Sequence, residues 1–181
     1  MGSIITRNQP LHMRIKLAHM RMGLGVSGND AEAVLRSLPS IGLRYHAQDK
    51  AARVLAQWLG EQNAVTQVLH PALPDAPGHA HWQQLCARGE NADGVAAGLF
   101  SVVIDERFGQ AAVDRFCDSL KLFKIGYSWG GPISLVMPYE LPEMRQRATA
   151  HIKPGIVVRF AIGLEDVRDL KADLAQALTA A

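Results

Sequence analysis

The chain has 181 residues, of which 48% are apolar and 20% charged, with a formal net charge of +2. That length holds one substantial core, or one domain with an overhang, and the composition is ordinary for a globular protein. Lys and Arg are scattered without aromatic interleaving and no apolar run approaches the ~20 residues of a spanning helix, so neither a nucleic-acid nor a membrane partner is expected.

The start, Gly2–Thr6, reads as a short apolar strand with no neighbour to complete a sheet. A helix is predicted from Pro10, with Leu11, Ile15, Ala18 and Met22 recurring on one face. The glycine-rich loop Gly23–Gly28 follows, and Asn29 or Asp30 is a candidate cap for a helix over Ala31–Leu38. Pro39 should break that helix before a long one over Ile41–Gln62, whose buried face is predicted at Leu43, Ala47, Ala51, Val54, Leu55 and Trp58.

Val65–Leu69 then reads as a strand, His70–Gly78 as a proline-rich loop and His79–Ala87 as a short helix. Asp93 and Gly94 make a turn before a strong strand at Gly98–Asp105, and a helix follows over Gln110–Leu120. Phe123–Tyr127 and Ser134–Met137 are short strands around a Gly-Gly turn, and Ile156–Gly163 is another strand. A last helix spans Leu164–Leu178, with Glu165 and Asp166 at its start, where carboxylates suit the helix dipole. Helices and strands mixed in this order give an α+β domain over residues 39–181.

Two stretches could carry chemistry. In Ile156–Ile162, alternation places Val158, Phe160 and Ile162 on one face and Val157, Arg159 and Ala161 on the other. An arginine among apolar neighbours must meet an anion or reach water, and its planar fork suits a carboxylate. An internal ion pair satisfies the same requirement. In Tyr127-Ser128-Trp129-Gly130-Gly131, the glycines admit turn conformations and close approach, Ser128 offers a hydroxyl, and Trp129 can wall a pocket. A plain hairpin turn with a core tryptophan uses the same residues.

Elsewhere the chemistry is sparse. His70, His79 and His81 lack the carboxylate or cysteine that would complete a zinc pattern, so no metal is expected. Cys86 and Cys117 have no metal-ligand spacing, which suggests a reducing compartment, and with no signal-peptide core a cytoplasmic location is expected. No Gly-Lys-Ser/Thr follows the glycine loop. The residues thus make an anion receptor without a nucleophile, acid or base of its own.

The segments Leu35-Arg36-Ser37-Leu38-Pro39-Ser40-Ile41-Gly42-Leu43-Arg44, Val68-Leu69-His70-Pro71-Ala72-Leu73-Pro74, Gly98-Leu99-Phe100-Ser101, Tyr127-Ser128-Trp129-Gly130-Gly131 and Ile162-Gly163-Leu164-Glu165-Asp166 carry a resemblance. In this order, together with Leu24-Gly25 to Asp30, they are similar to the carboxy-terminal part of the cystathionine β-lyases. These lie within the Cys/Met-metabolism group of fold-type I pyridoxal-phosphate enzymes. The resemblance implies that residues 39–181 form the C-terminal small domain of an aspartate-aminotransferase-like fold, an antiparallel sheet with helices packed on it. It implies that residues 1–38 are a remnant of the large cofactor domain and its linker helix.

By the same resemblance, the parent reaction is β-elimination of cystathionine to homocysteine, pyruvate and ammonia in transsulfuration and methionine biosynthesis, with pyridoxal 5'-phosphate as electron sink. Arg159 would grip the substrate carboxylate, helped by Ser128, Trp129 and Tyr127. The covalent attachment lysine is absent from this chain. It is expected immediately upstream of Met1, so the chain alone should be inactive, and self-association or docking to an amino-terminal cofactor domain is expected. Pro132-Ile133 departs from the family's usual aromatic-Glu before Ser134. The competing reading is a non-catalytic binding or assembly domain that retains the fold.

Overall fold

The computed structural model describes residues 2–88, 94–144 and 150–180; Asp93, half of the predicted turn, lies outside them. The chain divides into two compact units, Met1–Gly42 and Leu43–Ala181.

In the first unit, the predicted strand at Gly2–Thr6 does not form. Among the described residues no strand pairs with it, so its backbone has no ladder to join. Helix α1 runs Gln9–Arg21, with the Asn8 side chain accepting from the Leu11 N–H and a proline in the first turn. Helix α2 runs Gly28–Ser37 and starts earlier than predicted. Its cap is Ser27 rather than Asn29 or Asp30: the Ser27 Oγ accepts from the Asp30 N–H and donates to the Asp30 carboxylate at 2.7 Å. Pro39 falls in the 3-10 turn Leu38–Ser40, where a tighter coil tolerates the missing donor. Neither α1 nor α2 has a buried residue.

The second unit is built on five strands in the order β1-β2-β5-β4-β3. The strands are β1 Val65–Leu69, β2 Leu99–Ile104, β3 Lys124–Ile125, β4 Leu135–Tyr139 and β5 Ile156–Ala161. Around them lie helix α3 (Ile41–Gly60), α4 (His79–Cys86), α5 (Gly109–Ser119), α6 (Leu141–Met144) and α7 (Val167–Leu178). The central pairs are antiparallel, as predicted for this sequence, whereas β3 runs parallel to β4.

Register decides what each face of the sheet does. Phe100 pairs with Phe160 and Val136 with Phe160, which sends Phe100, Val102, Val136, Val158 and Phe160 to one side. There they join Leu55 and Leu59 of α3, Phe116 of α5 and Leu170 and Leu174 of α7 in one buried cluster. Phe160 sits at its centre, stacked on Phe100 and edge-on to Phe116 and Phe123. The opposite face carries Ser101, Met137 and Arg159 in a single row across three strands.

The inward stripe of α3 differs from the prediction. Buried positions are Gln48, Asp49, Ala51, Ala52, Leu55, Ala56 and Leu59, while Leu43 and Val54 point to solvent. Alanines let the helix approach the sheet, and two polar side chains turn inward because loop backbone awaits them there. A hydrophobicity pattern carries no sign of that demand.

Candidate functional site: an arginine held by a loop and two rings

The connection 126–134 between β3 and β4 shapes this face. A parallel neighbour obliges the chain to return to the end at which β3 began, and here it does so in one short loop rather than through a helix. Gly130 takes φ +74, a left-handed conformation that suits glycine and lets the loop turn back. The loop comes to rest where Arg159 can reach it.

Arg159 Nη2 donates to the Gly126 carbonyl at 3.1 Å and to the Ser128 carbonyl at 3.4 Å. Its guanidinium carbon lies 5.9 Å from the centroid of the Trp129 ring and 5.6 Å from that of Tyr139. Tyr127 meets Tyr139 edge-on at 6.4 Å rather than the arginine itself. Arg159 Nε is shut off from solvent and has no hydrogen-bond partner. Among the described residues no carboxylate stands within ion-pair distance of it, so the internal ion pair allowed by the sequence does not form.

Magnitudes say what this arrangement leaves undone. Two ring contacts contribute roughly 0.5–2 kcal/mol each, and carbonyl acceptors satisfy one arm of the fork. An enclosed N–H without an acceptor costs about 1–3 kcal/mol. The guanidinium is therefore oriented by the loop and the two rings, with one enclosed N–H left without an acceptor.

Of the four residues singled out in sequence, Arg159 and the Trp129 ring come together directly. Ser128 contributes its carbonyl to the arginine rather than the expected hydroxyl. Tyr127 stands one ring further out, and both Tyr127 (66%) and Trp129 (64%) remain largely exposed, so Trp129 is not a core tryptophan. Tyr139 was missed because β4 was predicted to end at Met137; alternation continued by two residues places it beside Arg159.

The foot of the loop is anchored to the end of β5. The Ser134 N–H donates to Glu165 Oε1 at 2.7 Å, the Ser134 hydroxyl donates to Oε2 at 2.8 Å, and the Gly163 N–H donates to Ser134 Oγ at 2.9 Å. The Leu164 N–H adds a bond to the Pro132 carbonyl at 2.8 Å. A side chain at Gly163 would collide with that carbonyl and with Glu165. Glu165 thus serves the loop, and the cap of α7 is Asp166 alone, which accepts from the Arg168 N–H.

The remaining candidates lie outside this face. His70 is fully buried, with its Nδ1 accepting from the Ala72 N–H, and His79 Nδ1 meets the Pro71 carbonyl. Among the described residues no group of three or more His, Cys, Asp and Glu could hold a metal ion. None of the described helices is long and apolar enough to cross a membrane. Cys117 is buried, and burial, then the charges of Asp114 and Asp118, push its thiol up to about 12, which leaves it an inert core residue.

All six lysines are exposed, with Lys124 Nζ donating to the Lys121 carbonyl and Lys153 Nζ to the Thr66 carbonyl. A lysine that holds a cofactor as a Schiff base sits in an enclosed pocket. None of these has one, so the residues here do not fit covalent attachment of a carbonyl cofactor.

Comparison with known proteins bears on the same question. The family described as Cys/Met metabolism PLP-dependent enzyme matches residues 1–179. The chain is 34% identical over 178 residues to the cystathionine beta-lyase of Bordetella avium, covering 98% of this chain and 43% of that protein. It is also 34% identical over 186 residues to the L-methionine gamma-lyase of Pseudomonas deceptionensis, covering 99% of this chain and 44% of that one. In structure it is similar to the cystathione gamma lyase of Micromonospora echinospora, at 28% identity and a TM-score of 0.76 over 98% of this chain and 45% of that chain. The chain spans less than half the length of the curated relatives it matches.

Proposed function

The chain belongs to the family of Cys/Met metabolism PLP-dependent enzymes, and we propose from that membership that residues 39–181 are the small domain of a carbon–sulfur lyase, holding the substrate's carboxylate. The reaction is β-elimination of cystathionine, with Arg159 as the carboxylate's partner and Trp129, Tyr127 and the Ser128 backbone enclosing it. The observation that carries this reading is the guanidinium itself: it is fixed between two rings and two carbonyls, has an enclosed Nε–H without an acceptor, and faces no carboxylate among the described residues.

The division of labour follows from what the chain has and lacks. Its residues bind and orient an amino-acid carboxylate, and they exclude water from one side of it. The attachment lysine is not among them, so the cofactor must be held by other residues, and this chain by itself does not turn over substrate. Relatives with β-lyase and γ-lyase names share this stretch at equal identity. The β-lyase reading rests on the resemblance carried by the segments named in the sequence, the one with Trp129 among them.

The test is complementation. Mixed with an amino-terminal polypeptide that supplies the cofactor lysine, the chain should release thiol and pyruvate from cystathionine in the presence of pyridoxal phosphate. Arg159→Ala should lower that activity about 10²-fold or more, the loss of a charged pair at the substrate. Turnover by the chain alone, above a contamination control, would overturn the proposal.

A further inference from the structure

The carboxylate receptor is a loop and an arginine, and what fixes the loop is not part of either. Three points hold the segment 126–134: Arg159 at its start, Glu165 at its foot, and Gln48 at its apex. Gln48 lies on α3, far away in sequence, and is only 7% exposed. Its Nε2 donates to the Gly131 carbonyl at 2.8 Å. A primary amide is costly to bury without partners, and this bond reaches straight to the tip of the turn that carries Trp129 and Gly130.

The packing around Gln48 reinforces the point. A side chain at Gly98 would meet the Gln48 Cβ and the Ile162 carbonyl, so a glycine there lets α3 close onto the ends of β2 and β5. The neighbouring Asp49 serves a different loop, accepting from the Ala96 N–H at 2.6 Å and pairing with Arg53. Adjacent residues on one helix therefore brace two separate loops.

We infer that Gln48 is a positioning residue for the carboxylate receptor: its bond to the Gly131 carbonyl fixes the loop whose Ser128 carbonyl and Trp129 ring set the orientation of Arg159. It rests on the reading of Arg159 as a carboxylate receptor. Without the bond the loop samples more conformations, and the ligand must supply the ordering that the protein otherwise provides. Binding weakens while the core, which Gln48 only borders, stays intact.

The experiment is a nuclear magnetic resonance titration of the full chain with propionate, following the Arg159 Nε–H and the Trp129 indole N–H. Gln48→Met keeps the length and removes the donor; Gln48→Asn shortens the reach and serves the same purpose if the first does not fold. Asp49→Asn is the control, because it loosens the other loop. The expected result is a dissociation constant raised about five- to tenfold in the Gln48 variant, the loss of one hydrogen bond. Asp49→Asn should lower the melting temperature without moving the constant. Equal propionate affinity in the wild type and the Gln48 variants would overturn the inference while leaving the receptor in place. No propionate binding by the wild type would overturn the receptor reading itself.

Discussion

Arg159 shows how the face a residue takes can be legible in sequence while its neighbours are not. Strand alternation placed it opposite Phe160, away from the core, and the structure agrees. Its company was less visible, because carbonyls of a loop and a ring two residues past the predicted end of β4 leave no mark in a periodicity. His70 carries a separate consequence. Burial, and then the positive charge of Arg53, lower its pKa from 6.5, against an opposing pull from Asp49. The unfolded chain therefore takes up a proton at a pH where the folded one does not, and stability is lost as pH falls from 6.5 toward the lowered folded value. His70→Asn keeps an acceptor for the Ala72 N–H and removes the titration. Its melting temperature should fall less than that of the wild type between about pH 7.5 and 5.5; parallel slopes would show that His70 does not carry the effect.

At the scale of elements, a turn that no motif announces holds the β3 edge. Asp173 of α7 is 5% exposed and accepts from three successive backbone N–H groups, those of Lys121, Leu122 and Phe123, with the Leu122 bond at 2.7 Å. Gln176 donates to the same carboxylate at 3.0 Å. This brace sets the direction in which the chain leaves α5, enters β3 and begins the site loop. Asp173→Asn gives up the charge and one acceptor where both are used. It should cost roughly 2–3 kcal/mol, read as a lower urea midpoint with an unchanged slope. An unchanged midpoint would mean that the loop holds itself.

The regular elements were readable where pattern and packing coincide: β1, β2, β5, α5 and the existence of α3 follow from periodicity. What escaped was set by partners distant in sequence, such as the inward Gln48 and Asp49, the Glu165–Ser134 bonds, and the parallel β3, which only a loop crossing the sheet could reveal. The Gly2–Thr6 strand failed for the complementary reason, since β-like composition forms no strand without a neighbour.

At the scale of the molecule, Leu43–Ala181 carries the buried cluster that joins three helices to one face of the sheet, while the helices of Met1–Gly42 bury no residue. The chain belongs to the Cys/Met metabolism PLP-dependent enzymes and spans less than half the length of the relatives it matches, and the proposed function assigns it the grip on the substrate's carboxylate. The measurement that tests this most directly is a calorimetric titration of the chain with L-cystathionine, set beside the doubly decarboxylated diamine of the same skeleton. The account predicts saturable binding of cystathionine, abolished in Arg159→Ala, and none of the diamine. Equal binding of both compounds, or binding that survives Arg159→Ala, would contradict it.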